Sequence, residues 1–423
     1  MDLNLYPSPA WRHLSRKKRL RGYLENLGLD PQLSIKDKLS SERRQYLIQT
    51  GLAIEASSKP AVKLPFNFVS AWNIELTYGC NLACTHCLQD ALRPREHGSN
   101  WLEFDAIKLL LKDAKNLGLA KTGINFTGGE IFSAGSPVLK LIRYASELGL
   151  DVRSNTNAWW GRNRNIRIGD EIFDSHEDLV RALKEAGLNM LALSLDDRYE
   201  RYPGLFDKMV AVAIACEKAE LLYQPIMTSP PPEMKTIFYR RLNEGLGHDP
   251  YFLQEVKMEM VDVGGSIKRS DSLMDPAQLA SLPKKSPCKT KGFYQPHTLH
   301  VTPGGGLRSC MYAPGSGNFG NIKTERLIDI LNRAGENQVL MLFENQNIDE
   351  FTEKYIAPWS SFYRKIEHPC TASALISRVA EKIDFERKKL GREPLPDEMK
   401  EIHRSTALEY RTASEKVLNT LQT

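Results

Sequence analysis

The sequence predicts an α/β protein, because short apolar strands alternate with amphipathic helices between about residues 70 and 265. This alternation is typical of parallel βαβ units. At 423 residues the chain is too long for one ordinary domain, so a (β/α) barrel core of about 200 to 250 residues with accessory segments is the natural division. Three cysteines that directly follow the first predicted strand indicate where this core carries its chemistry.

The apolar pattern predicts six strands and five intervening helices. We expect the strands at 72–77, 123–127, 151–156, 190–196, 222–228 and 254–262, and the helices near 104–118, 137–149, 176–187, 205–220 and 234–245. Composition and punctuation by proline and glycine predict four domains: a helical N-terminal extension at 1–68, the barrel at 69–265, a second cysteine-containing segment at 266–370, and C-terminal helices at 371–423.

The most informative motif is the loop that contains Cys80, Cys84 and Cys87. A C-x3-C-x2-C loop can wrap three thiolates around one face of a cubane iron-sulfur cluster and leave one iron without a protein ligand. The alternative is a zinc site that includes His86. Structural zinc sites usually take their last ligands from a second knuckle, whereas all three thiols here come from one loop, so the sequence favours the cluster.

The segment from Cys80 to Cys87 resembles the signature of the radical S-adenosylmethionine (radical SAM) superfamily, and Tyr78 before the loop fits that family. The resemblance implies a [4Fe-4S] cluster whose open iron binds the methionine part of SAM. It also implies reductive cleavage of SAM to a 5'-deoxyadenosyl radical, which abstracts hydrogen from a substrate carbon. The implied fold is a partial (β/α)6 TIM-like barrel.

Polar groups follow the second and third predicted strands, and the reactive groups of parallel barrels gather at such strand ends. Gly128 and Gly129 allow close backbone approach, and Glu130 can accept a hydrogen bond from an ammonium group. This triplet resembles the family motif that contacts the SAM amino group, although Ile131 stands where the family commonly has proline. The resemblance makes these three residues and Tyr78 candidate SAM contacts.

The third strand ends in short polar side chains that can hydrogen-bond ribose hydroxyls. Ser154, Asn155 and Asn157 are similar in position to the ribose contact of the family. The competing interpretation is an Asx or Ser/Thr turn that caps the strand.

Charged residues at or near other strand ends are candidates for substrate chemistry. Asp196 follows the fourth strand and can bind substrate amines or shuttle a proton, but it can equally cap a helix. Lys257 and Glu259 alternate with apolar residues in the last strand, and their shared face can line the substrate cavity. Glu75 in the first strand invites the same interpretation, and a buried salt bridge explains it at least as well.

The segment from Trp159 to Arg167 is longer and more aromatic than a strand-to-helix loop requires. Its interleaved tryptophans and arginines could stack on nucleotide bases, as in single-strand binders. Since the overall charge is weak, we favour a lid over the barrel mouth.

A second cysteine set consists of Cys288, Cys310 and Cys370. The segment 300–310 is predicted to form a strand, a glycine turn and a strand. It resembles the SPASM and twitch extensions of radical SAM enzymes, in which a hairpin with a G-x4-C element, here Gly305 to Cys310, carries an auxiliary cluster. The resemblance implies one auxiliary iron-sulfur cluster in a twitch-like α+β extension, with a histidine such as His300 or a substrate group completing the ligands. Three unrelated buried cysteines are the alternative.

The charge and hydropathy pattern limits the partners. A net charge of +5 gives little reason to expect nucleic acid. No stretch of 18 apolar residues and no signal-peptide pattern occurs in the sequence, so we expect a cytoplasmic protein without a membrane partner. Two other classes stay open: a nucleic-acid binder that carries zinc or a cluster, and a non-catalytic electron-transfer protein.

The substrate is expected to be a peptide or a small molecule. Extensions of the SPASM and twitch type occur in enzymes that crosslink, epimerise or form thioethers in ribosomally made peptides, and in enzymes that oxidise or epimerise sugars and aminocyclitols. Residues 1–68 lack the strand-and-helix alternation of a leader-peptide recognition domain, which weakens the peptide alternative. An electron donor such as flavodoxin or ferredoxin is the further partner that the resemblance implies.

Overall fold

The structure is a computed structural model. It describes residues 69, 71–82, 84, 87, 101–195, 202–228, 232–254, 256–258, 298–309, 318–334, 337, 342, 348–363 and 369–407. The described residues fall into two compact units. The first contains Gly123–Phe126 and the described part of Glu130–Glu259, and the second contains the described parts of Val62–Thr122, Thr127–Gly129 and Met260–Thr423.

Within these ranges the structure contains eleven strands and eight α-helices. The strands are β1 Ala71–Glu75, β2 Gly123–Thr127, β3 Val152–Thr156, β4 Arg164–Ile168, β5 Glu171–Ser175, β6 Met190–Leu195, β7 Leu222–Thr228, β8 Val256–Met258, β9 Thr298–Val301, β10 Gly306–Arg308 and β11 Asn318–Asn321. The helices are α1 Phe104–Asn116, α2 Val138–Glu147, α3 His176–Glu185, α4 Leu205–Lys218, α5 Pro232–Leu246, α6 Leu327–Arg333, α7 Ile348–Phe351 and α8 Pro369–Leu390.

The first unit contains a parallel sheet in the strand order β2-β3-β6-β7-β8. Strand order therefore follows chain order, as expected for successive βαβ units. Helix α3 begins where the Ser175 hydroxyl accepts a hydrogen bond from the backbone N–H of Asp178 at 3.2 Å, which satisfies one of the unpaired donors of the first turn. The α/β class predicted from the sequence is confirmed.

The second unit contains the strand order β11-β10-β9-β1. Strand β9 is parallel to β1 and antiparallel to β10, and β10 is antiparallel to β11. A glycine turn at Gly305, whose φ is 85°, joins β9 to β10. The strand, glycine turn and strand predicted for 300–310 are present, whereas the side chain of Cys310 lies outside the described residues.

The C-terminal residues form two helical segments, α8 and 396–407, separated at Gly391, which has φ of 66°. The predicted apolar face of this region is buried: Leu375, Ile376, Val379 and Ile383 are at most 4% exposed. Over the described residues, no helix is both apolar and long enough to cross a membrane.

Candidate functional site

The cysteine loop begins directly after β1, and backbone hydrogen bonds hold its first residues. The Leu76 N–H donates to the Thr127 carbonyl at 2.8 Å, and the Gly129 N–H donates to the Thr77 carbonyl at 2.7 Å. These two hydrogen bonds hold the backbone at residues 76–77 against the backbone at residues 127–129, just before the first cysteine.

The three cysteines differ in exposure. Cys80 is buried, whereas Cys84 and Cys87 are partly exposed, and none of the three forms a disulfide. The Cys80 sulfur accepts a hydrogen bond from the Leu82 N–H at 3.5 Å. The Cys87 N–H donates to the Cys84 carbonyl at 3.2 Å, which closes one turn between these two thiols.

These residues fit a [4Fe-4S] cluster. Such clusters are held by thiolates, and hydrogen bonds to the sulfur atoms tune their potential. Three thiols from one short loop, one of them already accepting an N–H, supply the ligands that a cluster with one open iron requires. In the part of the chain that the structure describes, no group of three or more His, Cys, Asp and Glu side chains is placed so that it could hold a metal ion, so the fit rests on the type and spacing of the three thiols.

Two glycines pack against the start of this loop. A Cβ on Gly128, which has φ of 141°, would lie 2.5 Å from the Thr77 carbonyl oxygen. A Cβ on Gly129 would lie 1.9 Å from the Gly79 carbonyl oxygen. Any larger residue would push the backbone that leads into the cysteines, so both positions require glycine.

Glu130, the next residue, is only 3% exposed, and its carboxylate joins two strand ends in the first unit. Its oxygens accept hydrogen bonds from the N–H groups of Phe132 and Asn157, both at 2.9 Å. The Thr156 hydroxyl lies 3.1 and 3.0 Å from the two oxygens. A carboxylate accepts about four hydrogen bonds, so these three donors use most of its capacity. The predicted contact with an ammonium group remains a prediction.

Thr156 belongs to the polar end of the third strand that the sequence indicated, but its contact with Glu130 was not predicted. Its hydroxyl contacts Glu130 and also accepts hydrogen bonds from the Ala158 N–H at 3.0 Å and the Trp160 indole N–H at 3.2 Å. Ala158 has φ of 59°, an uncommon conformation for a residue with a side chain. A threonine two residues before a chain reversal is the local signal that could have identified this turn.

The candidate ribose contacts lie on opposite faces of β3. Successive strand residues point to opposite faces, so Ser154 shares a face with Thr156, and Asn155 lies on the other. Among the described residues, the Ser154 hydroxyl and the Asn155 carbonyl oxygen are buried without hydrogen-bond partners. The two side chains cannot both reach one ligand from the same face, and their roles remain predictions. The Asn157 carbonyl oxygen accepts a hydrogen bond from the Trp159 N–H at 3.0 Å, as in an Asx turn.

The segment after β3 is packed and partly strand. Trp160 is completely buried, with its ring 6.0 Å from that of Phe132, and the Trp159 indole N–H donates to the Phe132 carbonyl at 3.2 Å. Residues 164–168 form β4, which pairs with β5 in an antiparallel hairpin. Base stacking is therefore wrong for Trp160, because its ring faces are covered. The lid role of the segment stays a prediction.

A buried charge pair lies in the second unit. The Glu75 carboxylate and the Arg308 guanidinium are 2.6 Å apart, and each side chain is 1% exposed. The salt-bridge alternative for Glu75 is thus present. His300 pairs with Arg308 across β9 and β10, and burial together with the Arg308 charge lowers the pKa of His300 to about 3. His300 is therefore neutral at pH 7.

Tyr78 lies beside this pair and close to the Thr302 hydroxyl. Burial raises the pKa of the Tyr78 phenol, and the negative charge of Glu75 adds to this effect. Tyr78 is thus a neutral phenol whose ring and hydroxyl belong to the same polar cluster as Glu75.

Several predicted site residues lie outside the part of the chain that the structure describes. Asp196, Glu259, Cys288 and Cys310 lie outside the described residues, as do the side chains of Lys257 and Cys370. The backbone of Lys257 lies in β8 opposite Met227, and that of Cys370 lies in α8. Their catalytic and cluster-binding roles stay predictions.

The region that contains this loop is similar to known proteins. The Radical SAM superfamily model matches residues 74–220. Over 161 residues the chain is 29% identical to an AdoMet-dependent heme synthase of Methanosarcina barkeri, covering 36% of this chain and 40% of that protein. Over 130 residues it is 32% identical to a GTP 3',8-cyclase of Clostridium botulinum, covering 30% of this chain and 35% of that protein. The chain thus spans less than half the length of these relatives.

Solved structures resemble the chain more distantly. One described as native anSMEcpe with bound AdoMet has a TM-score of 0.40 at 14% identity, covering 83% of this chain and 98% of that one. Methylornithine synthase has a TM-score of 0.33 at 14% identity, covering 85% and 96%. The family match implies a [4Fe-4S] cluster and SAM, and it confirms the main resemblance seen in the sequence: residues 74–220 form a radical SAM superfamily domain.

Proposed function

We propose that this protein is a radical SAM enzyme that cleaves S-adenosylmethionine reductively and removes hydrogen from a substrate carbon. The observation that carries the proposal is the cysteine loop after β1, whose approach is fixed by the contact of Gly129 with Gly79. When bound, the cluster supplies the electron that cleaves SAM to the 5'-deoxyadenosyl radical. The two curated relatives are named as an AdoMet-dependent enzyme and a cyclase, which agrees with this reaction class.

The chain's own residues have separate tasks in this proposal. Cys80, Cys84 and Cys87 hold the cluster, and the glycine pair keeps their loop in place. In the first unit, Glu130 orders the turn after β3 by accepting the N–H of Asn157. We assign the binding and orientation of SAM to this turn and to the candidate SAM contacts other than Asn155, and the protein supplies position and exclusion of water.

A direct test measures SAM cleavage by the full chain, reconstituted with iron and sulfide under anaerobic conditions and given a strong reductant. We expect 5'-deoxyadenosine from the wild type and none from Cys84→Ala. Cys216→Ala is the matched control, because Cys216 is a fully buried residue of α4 and belongs to no proposed cluster. Intact SAM after prolonged incubation of cluster-loaded wild type, or zinc in place of iron, would contradict the proposal.

The finer proposal is that the substrate is a ribosomally made peptide and that Cys288, Cys310 and Cys370 hold one auxiliary cluster. Support comes from the G-x4-C resemblance and from the β9–β10 hairpin that leads to residue 310. Iron analysis of the Cys80→Ala, Cys84→Ala, Cys87→Ala variant should still find a cluster. Iron-free, colourless protein would remove the auxiliary site and leave the radical SAM proposal intact.

A further inference from the structure

In the first unit, one arginine has no counter-ion among the residues that the structure describes. Arg153 lies in β3, and among the described residues its Nε is buried without a hydrogen-bond partner. Burial of the side chain lowers the pKa of Arg153 to about 10. The guanidinium is still charged at pH 7. A buried charge without a partner costs stability, so such a residue calls for an explanation.

Two amides lie on the same face of the sheet as Arg153. Asn155 follows Arg153 by two residues and therefore shares its face. The parallel register pairs Asn155 with Ala192 of β6 and Ala192 with Gln224 of β7. Gln224 is only 5% exposed. Asn155, Ala192 and Gln224 thus form one row across three strands.

The row carries polar groups that match a ligand. In the part of the chain that the structure describes, the carbonyl oxygens of Asn155 and Gln224 are buried without hydrogen-bond partners. The alanine between them has a short side chain, and neighbouring strands are about 4.8 Å apart, so the backbones that carry the two amides are about 10 Å apart. Unpaired acceptors beside an unpaired cation match a molecule with an oxyanion and nearby O–H or N–H groups.

We propose that Arg153, Asn155 and Gln224 form a subsite for an acidic group of the substrate, with Arg153 holding the oxyanion and the two amides accepting hydrogen bonds from adjacent donors. The inference deepens the proposed function and rests on it for identifying the ligand as the substrate. A carboxylate beside a peptide N–H and a phosphate beside sugar hydroxyls share this chemistry.

The test measures thermal unfolding of the cluster-loaded full chain without reductant, with saturating SAM present so that the SAM carboxylate is not the group measured. N-acetylglycine is the carboxylate probe and glycerol 3-phosphate is the phosphate probe. N-acetylglycinamide and glycerol are their uncharged counterparts, and ionic strength is held constant with sodium chloride. At about ten times its dissociation constant, the matching charged probe should raise the melting temperature by about 2 °C, and its uncharged counterpart should not.

Two arginine variants separate this site from general salt effects. Arg153→Met should lose the probe-dependent rise and should melt no lower than the wild type, because it removes an unpaired buried charge. Arg240→Met is the control, since the Arg240 side chain is 66% exposed on α5, and it should keep the rise. A rise with N-acetylglycine favours a peptide substrate, and a rise with glycerol 3-phosphate favours a phosphorylated sugar.

Other results overturn the subsite. One is a melting temperature that neither charged probe raises, and another is an equal rise in Arg153→Met. A third is a melting temperature of ligand-free Arg153→Met several degrees below that of the wild type, which would mean that Arg153 has a structural partner. Because the assay needs no radical chemistry, its result for the subsite does not depend on whether the protein cleaves SAM. A chain that cleaves SAM but ignores both probes lacks only the subsite, and one that binds a probe but never cleaves SAM lacks only the proposed activity.

Discussion

The Glu75 carboxylate and the Arg308 guanidinium form a salt bridge between residues 233 positions apart in the chain, at 2.6 Å and with both side chains almost fully buried. Removing one partner of such a pair leaves an uncompensated charge in the interior, which costs about 3 to 5 kcal/mol. Replacing both with apolar residues removes the charge and its partner together and costs far less.

We therefore expect Arg308→Met to lower the free energy of unfolding by about 3 to 5 kcal/mol, and Glu75→Leu with Arg308→Met to recover most of the loss. Urea unfolding followed by circular dichroism measures the free energy of unfolding of Arg308→Met, of Glu75→Leu and of the double variant. If the double variant is as unstable as the sum of the two single variants, the two side chains do not interact and the pairing is wrong.

Gly129→Ala should reduce cluster loading. Its Cβ would lie 1.9 Å from the Gly79 carbonyl oxygen, so the backbone that leads to Cys80 must move. Iron content after reconstitution measures the effect. Gly304→Ala is the control, because the nearest atom to its Cβ would be the Thr302 hydroxyl at 3.8 Å. Equal iron in both variants would show that the glycine contact does not position the cysteine loop.

Glu130→Ala should weaken SAM binding roughly 10- to 150-fold, the equivalent of one charged hydrogen bond, while the protein keeps its cluster. The variant should also be less stable, because the buried N–H groups of Phe132 and Asn157 lose their acceptor. Calorimetric titration with SAM and iron analysis separate the two effects. Asp196→Ala should keep SAM affinity and lose product formation. If Asp196→Ala loses SAM as strongly as Glu130→Ala does, the two roles are misassigned.

The C-terminal helices should lose stability in mild acid. The His403 ring is buried, contacts the Tyr363 hydroxyl and stacks on Trp359 with ring centroids 5.5 Å apart. Burial lowers the pKa of His403 from 6.5 to about 4, so the unfolded chain binds this proton more readily than the folded chain between those values. The free energy of unfolding therefore falls as the pH drops from 6.5 to 4, by about 3 kcal/mol for this residue.

His403→Phe keeps a ring on Trp359 and removes the titration. Its melting temperature should depend less on pH between 6.5 and 4 than that of the wild type. The neutral, buried His300 is present in both proteins and cancels in the difference. Identical slopes for the two proteins would show that His403 does not titrate on unfolding.

Local pattern was enough to predict most of the secondary structure between residues 70 and 265. The five predicted helices and the first five strands agree with the structure to within two residues at each end, and the sixth strand is described over Val256–Met258. This accuracy has a physical cause, since apolar residues repeat with the period of a strand or a helix wherever one face is buried. The spacing of Cys80, Cys84 and Cys87 is equally local, and it carried the resemblance to the superfamily whose model matches residues 74–220.

Side-chain partners could not be predicted in this way. The hairpin β4–β5, the burial of Trp160 and the hydrogen bonds of Glu130 with Thr156 depend on which residues a neighbouring strand end presents. The sequence left Glu75 open between a catalytic role and a salt bridge, because its partner Arg308 comes from a distant segment.

The sequence by itself determined the α/β class, the order of the elements and the cysteine loop, because each depends on the residue types within a short stretch of chain. Only the tertiary structure decided that Glu75 is neutralised by Arg308, that Glu130 accepts hydrogen bonds from the turn after β3, and that the Arg153 Nε is buried without a hydrogen-bond partner among the described residues. Each of these depends on the register between strands. Register brings together residues that are far apart in the chain, and their positions in the sequence do not indicate that they are in contact.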